Sequence, residues 1–106
     1  MIVAEFAVVP MGEGTSASKY IEAVEQMLAS SGVKFIPGAM STSIETKSMR
    51  DAFDLVEKAN QVLADMGIKR VITMVRMDYR LDKENTIDAK LSKIVKDKAS
   101  KKIAVE

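Results

Sequence analysis

The chain has no cysteine, no histidine and no tryptophan, and only three phenylalanines, two tyrosines and two prolines among its 106 residues. Without cysteine there is no disulfide, no thiolate nucleophile and no cysteine zinc site. Without histidine the usual general base near neutral pH and the commonest transition-metal ligand are missing as well. Neither sign of charge is in excess: 16 Lys and Arg face 15 Asp and Glu, a net charge of +1. A global electrostatic pull toward nucleic acid or a membrane surface is therefore absent. No apolar run approaches the roughly 20 residues that a membrane helix needs. The N-terminal MIVAEFAVVP lacks a basic leader and carries Glu5, so it does not read as a signal peptide, and the expected location is the cytoplasm. The groups that remain are carboxylates, amines, guanidinium groups, hydroxyls and two phenols. That set favours a binder over an enzyme, with no cofactor and no metal expected.

What is present is ordinary for a globular protein: 47% hydrophobic and 29% charged residues. The length suits one domain, 1–106, with a single core. Residues 2–10, IVAEFAVVP, are rich in β-branched and apolar types and read as a first strand. MGEGTSAS follows as a turn, with Ser16 or Ser18 as the candidate helix cap. From Ser18, residues Tyr20, Ile21, Val24, Met27 and Leu28 recur at helical spacing, up to Gly32. VKFIPG is a short second strand at an edge, since Pro37 lacks an N–H, and AMSTSIET is the third. A second helix spans about Ser48 to Met66, with Ser48 as cap and Phe53, Val56, Ala59, Val62, Leu63 and Met66 as its apolar stripe. IKRVITMVRMDYRLD is the longest strand. After DKEN, TIDAKLSKIVKDKASKK forms a third helix with Ile87, Leu91, Ile94 and Val95 on a narrow stripe. The order β-α-β-β-α-β plus a terminal helix is the ferredoxin-like α+β pattern. Right-handed crossovers then predict an antiparallel sheet in the order 4-1-3-2.

Period-2 alternation assigns the two faces of that sheet. Ile2, Ala4, Phe6 and Val8 share one side of the first strand with Val71, Thr73, Val75 and Met77 of the last, and the helices are expected to cover them. The other side carries Val3, Ala7, Val9, Ile72 and Met74, seamed with Glu5, Ser41, Ser43, Glu45 and Arg76. A helix-free face this apolar predicts association. Two such sheets stacked about a two-fold axis are the expected solution, and partial cover by the C-terminal helix is the alternative.

Several segments resemble the family of small thiamine-binding proteins. They are VPMGEGTSASKYIEAVEQML with Ser18 and Tyr20, and GAMSTSIE with Met40, Thr42, Ile44 and Glu45. RVITMVRMDYRLDKENTIDAKLSKI completes the likeness, with Arg70, Val71, Asp78, Arg80, Asp82 and Lys90 to Ile94. The resemblance spans nearly the whole chain and rests on order and spacing, not on one decisive motif. It implies a ferredoxin-like domain forming dimers or tetramers through its sheets. It also implies binding of thiamine or its hydroxymethylpyrimidine precursor, with no established catalysis. Thr46 departs from the glycine common in the family after Ile-Glu, and its side chain is expected to reshape the neighbouring pocket.

The candidate ligand residues are Glu45, Ser43, Thr42, Ser18, Tyr20, Gly12 and Glu5. Ser16 and Ser18 serve as helix caps or bring hydroxyls and loop N–H groups to a ligand. GEGTS lacks the spacing and lysine of a phosphate loop. Glu45 and Glu5 either pair with Arg76 or face a ligand, accepting hydrogen bonds from an aminopyrimidine. Tyr20 packs with its hydroxyl at a rim or stacks on a pyrimidine, and Met11, Met40 and Met74 are filler or a pocket lining. DYRLDKEN reads as a solvated turn with local ion pairs. The basic KDKASKK has no stacking platform beside it, so no nucleic-acid partner is expected. The expected activity is non-catalytic binding of a thiamine-type ligand by a homo-oligomer. The alternative is a regulatory or scaffolding module without a small ligand, because fold alone does not assign function.

Overall fold

The computed structural model describes residues 1–12 and 14–100, with side-chain surroundings given as far as Ile94. The elements run β1 (Ile2–Pro10), α1 (Ser18–Ser31), β2 (Lys34–Pro37), β3 (Thr42–Thr46), α2 (Met49–Asp65), β4 (Val71–Tyr79) and α3 (Ile87–Ser100). The four strands pair antiparallel in the order β2-β3-β1-β4, which is 4-1-3-2 read from the other edge. This is the α+β ferredoxin-like arrangement with an added C-terminal helix.

Alternation places the core as expected. Ile2, Ala4 and Phe6 of β1 are buried with Ile44 of β3 beneath Tyr20, Val24 and Leu28 of α1 and the inner face of α2. Leu28, Ile44 and Leu63 are fully buried, each contributing about 1.5–3 kcal/mol relative to exposure. The stripe of α2 is shifted from the expected one. Ala52, Leu55, Val56, Ala59 and Leu63 face inward, whereas Phe53 is 54% exposed and Met66 is exposed too. Ala52 and Ala59 let the helix backbone sit close on the sheet, and Phe53, one residue round from Ala52, is thereby turned outward. Counting large apolar residues overlooks such a contact.

The caps divide the same way. Ser48 is extended and its Oγ accepts a hydrogen bond from the Asp51 N–H at 3.1 Å, capping α2. For α1 the cap position is Ala17, which has no side-chain acceptor, so neither Ser16 nor Ser18 is the cap. Ser18 is instead the first helical residue, its Oγ 3.5 Å from that of Ser16. Gly32 ends α1 at φ 76°, a left-handed conformation that glycine adopts without a Cβ clash.

The helix α3 stands on the other side of the sheet, and it partly covers the face opposite α1 and α2. Lys34, Glu45, Val3 and Asp78 form one row across the four strands. Three of them hold the start of α3. Lys34 pairs with Asp88 at 2.5 Å, Glu45 Oε1 accepts from the Ile87 N–H at 2.8 Å, and Asp78 pairs with Lys90. Asn85 is buried beside them and donates to the Asp78 carbonyl at 2.7 Å. Ile87 is buried, but Leu91 and Ile94 are exposed. The side chains of Val95 and of the basic KDKASKK segment lie outside the described residues.

Candidate functional site

A local shortfall in strand pairing builds the most enclosed site. β1 pairs with β4 from Ile2 to Pro10, but with β3 only from Ile2 to Phe6. Beyond Phe6 the β3 side of β1 has no strand partner, so backbone hydrogen-bonding groups there are open to other partners. The turn before β3 curls over this gap. Its Gly38 N–H donates to the Ser41 carbonyl at 2.9 Å, and a Cβ on Gly38 would lie 2.6 Å from that oxygen. The result is a cavity of about 190 Å³ between the end of β1, the turn and α1. Phe6, Val8, Ile21 and Val24 supply apolar walls, Thr42 and Ser41 supply hydroxyls, and Met40, 90% exposed, stands at the rim. Glu25 is the single charged side chain lining it among the described residues.

The second site is the broad depression on the α3 side of the sheet, about 460 Å³, lined by Val3, Glu5, Ser43, Arg76, Asp78 and Lys90. Its carboxylates are already engaged. Glu5 accepts from Ser41 Oγ at 2.9 Å and from Arg76 Nε at 2.6 Å. The Ser41 hydroxyl, and then the Arg76 guanidinium, hold its pKa below the ordinary 4.5 against the opposing effect of burial. Glu45 holds α3 in place, as described. Ser43 lies directly across from Glu5. Of Ser41, Ser43 and Glu45, which share this side of the sheet, Ser41 and Glu45 therefore serve the chain itself.

A third, outer depression of about 510 Å³ is lined by Gly12, Ser16, Ser18, Lys19 and Tyr20. Tyr20 is 2% exposed, its ring part of the core, and Lys19 Nζ lies 5.0 Å from its centroid. A ring so committed has no free face for a pyrimidine.

The residues singled out from the sequence are thus spread over three places. Glu5, Ser43 and Glu45 share the α3 side of the sheet, Thr42 lines the strand-end cavity, and Gly12, Ser18 and Tyr20 sit at the start of α1. Met11, Met40 and Met74 do not line one cavity together. Thr46 is buried and its hydroxyl donates to the Ser48 carbonyl at 2.8 Å, so it does not reach the strand-end cavity. The expected ion pair in DYRLDKEN is present as a two-bond contact between Arg80 and Asp82, at 2.9 and 2.5 Å. Among the described residues no cluster of three acidic side chains is placed to hold a metal ion. No described helix is long and apolar enough to cross a membrane. Glu25 was not among the residues expected from the sequence. Its one signal is position: it follows Ile21 by four, at the flank of the buried Tyr20, Val24 and Leu28 stripe of α1.

Residues 4–95 match the family model described as thiamine-binding protein. The chain is 34% identical over 93 residues to the UPF0045 protein MJ1052 of Methanocaldococcus jannaschii, covering 88% of this chain and 91% of that one. A solved structure of that protein aligns with a TM-score of 0.78 over 89% of this chain and 95% of the other. The UPF0045 protein YqgV of Bacillus subtilis is 30% identical over 101 residues, 91% of this chain and 96% of its own. A Thermotoga maritima structure, provisionally assigned to thiamine biosynthesis or salvage, aligns with a TM-score of 0.75 at 25% identity, covering 88% and 97%.

Proposed function

Since the chain belongs to the thiamine-binding protein family, we propose that it binds thiamine or a related hydroxymethylpyrimidine in the strand-end cavity. It does so without making or breaking bonds, as a homo-oligomer of the cytoplasm. The observation that carries this reading is the gap beside β1. It offers apolar walls for a flat ring, hydroxyls from Ser41 and Thr42, and unpaired strand backbone in one enclosed place. At about 190 Å³ it is smaller than the roughly 300–1,000 Å³ typical of drug-sized ligands. That size suits a single substituted pyrimidine, with a second ring left at the mouth.

Self-association is supported by an exposed apolar corner on the α3 side of the sheet. Val9, Ile72 and Met74 are exposed there on adjacent strands. Covering such a patch with a second copy removes apolar surface from water.

Titration calorimetry with thiamine and with 4-amino-5-hydroxymethyl-2-methylpyrimidine tests the ligand, and analytical ultracentrifugation tests the assembly. Saturable heat is expected from at least one ligand. A folded protein that gives no heat with either, yet sediments as an oligomer, would be an association module and not a binder.

A further inference from the structure

We infer that Glu25 reads the ligand, and that the strand-end cavity selects flat heteroaromatic rings carrying an exocyclic amine. This rests on the proposed ligand binding and assigns its selectivity to one residue. Of the three glutamates that bear on the candidate sites, Glu5, Glu45 and Glu25, two are spoken for. Glu5 is held by Ser41 and Arg76, and Glu45 by the Ile87 N–H. Glu25 makes no hydrogen bond or ion pair with any described residue. It is half-buried, at the flank of the buried stripe of α1, and the cavity it lines has no other described charge. A carboxylate drawn partly out of water with no donor in reach is costly, and the cost is recovered when a ligand supplies the donor.

A carboxylate only accepts hydrogen bonds, so the group that meets it must donate. An aminopyrimidine does so through its amine, and ring protonation adds positive charge that the carboxylate also favours. The 4-oxo analogue places an acceptor where the amine stood. Two oxygens then face one another in a largely apolar cavity, and the polar mismatch is the kind that sites of this sort reject strongly. The Thr42 hydroxyl both donates and accepts, so it does not discriminate between the two rings, and the Ser41 proton already goes to Glu5.

The test is a cycle of two proteins and two ligands, measured by titration calorimetry. Wild type and Glu25→Gln are each titrated with 4-amino-5-hydroxymethyl-2-methylpyrimidine and with its 4-oxo counterpart. Wild type is expected to prefer the amine by tenfold or more. Glu25→Gln, whose amide can donate to the oxo group, should lose at least most of that preference. A circular dichroism spectrum and melting curve matching wild type establish that the variant is folded. Glu25→Asp, which keeps the charge on a shorter arm, should retain the preference with weaker binding. If wild type binds the amine and Glu25→Gln keeps the same preference, Glu25 does not read the ligand, while the proposed function stands. If wild type binds neither ring nor thiamine, the proposed function falls and this assignment with it.

Discussion

Replacing Glu45 by alanine separates two roles that this residue has in prospect, ligand contact and helix anchor. The structure makes it an anchor: its carboxylate accepts from the Ile87 N–H at 2.8 Å, at the start of α3. Hydrogen bonds to charged groups contribute about 1.5–3 kcal/mol. A negative charge at a helix N-terminus contributes about 0.3–1 kcal/mol more. Glu45 is half-buried, so water replaces part of what is lost, and a net cost of about 1–2 kcal/mol is expected. The cost falls on the docking of α3 and not on the sheet, because α3 has few other holds among the described residues. They are buried Ile87 and Asn85 and two ion pairs at the surface. Hydrogen exchange at the amides of Leu91 to Ile94 should therefore accelerate by about tenfold, while those of β1 and β3 stay protected. Glu45→Gln keeps an oxygen acceptor and should show a smaller rise. Affinity for the aminopyrimidine should not change in either variant. Unchanged exchange in α3 together with lost ligand binding would refute the anchor and return Glu45 to the ligand site.

Three further outcomes follow from the geometry. Gly38→Ala forces a Cβ to 2.6 Å from the Ser41 carbonyl oxygen, so the turn must open; calorimetry should show weaker ligand binding with the fold retained. Glu5→Gln should lower the melting temperature at neutral pH. The native carboxylate titrates below 4.5, so its contribution is present above that pH and is lost as pH falls through its lowered value. The gap between variant and wild type should accordingly close in acid, as thermal scans across pH will show. Met74→Glu places a charge in the exposed corner with Val9 and Ile72, and sedimentation should show smaller species with an unchanged circular dichroism spectrum.

Much of the fold was legible because it depends on two simple periods. Alternation in β1 and β4 sorted both sheet faces residue by residue, and Ser48 and Gly32 announced helix ends through their own backbone chemistry. The contacts of α2 were less legible: Ala59 was expected inward, but Ala52, which matters for being small, was passed over in favour of the exposed Phe53. The site was the least legible part. Glu45, Ser43 and Glu5 were correctly placed on one face, but nothing local shows that Glu45 meets an N–H 42 residues away. Nor does a sequence show that β3 stops short of β1, and that shortfall creates the cavity into which Glu25 and Thr42 are brought.

The cavity and the apolar corner of the sheet are not independent features. Val9 lines the cavity and is also exposed in the corner with Ile72 and Met74. Ser41 lines the cavity and donates to Glu5, which in turn accepts from Arg76 on the far strand. A second copy laid over that corner would press on Val9 and restrict Arg76, and through Glu5 it would fix the orientation of the Ser41 hydroxyl. Ordering the cavity wall in this way lowers the entropy that a ligand must give up on binding. Linkage then requires the converse, that a ligand holding Ser41 in one orientation strengthens the contact between copies by the same factor.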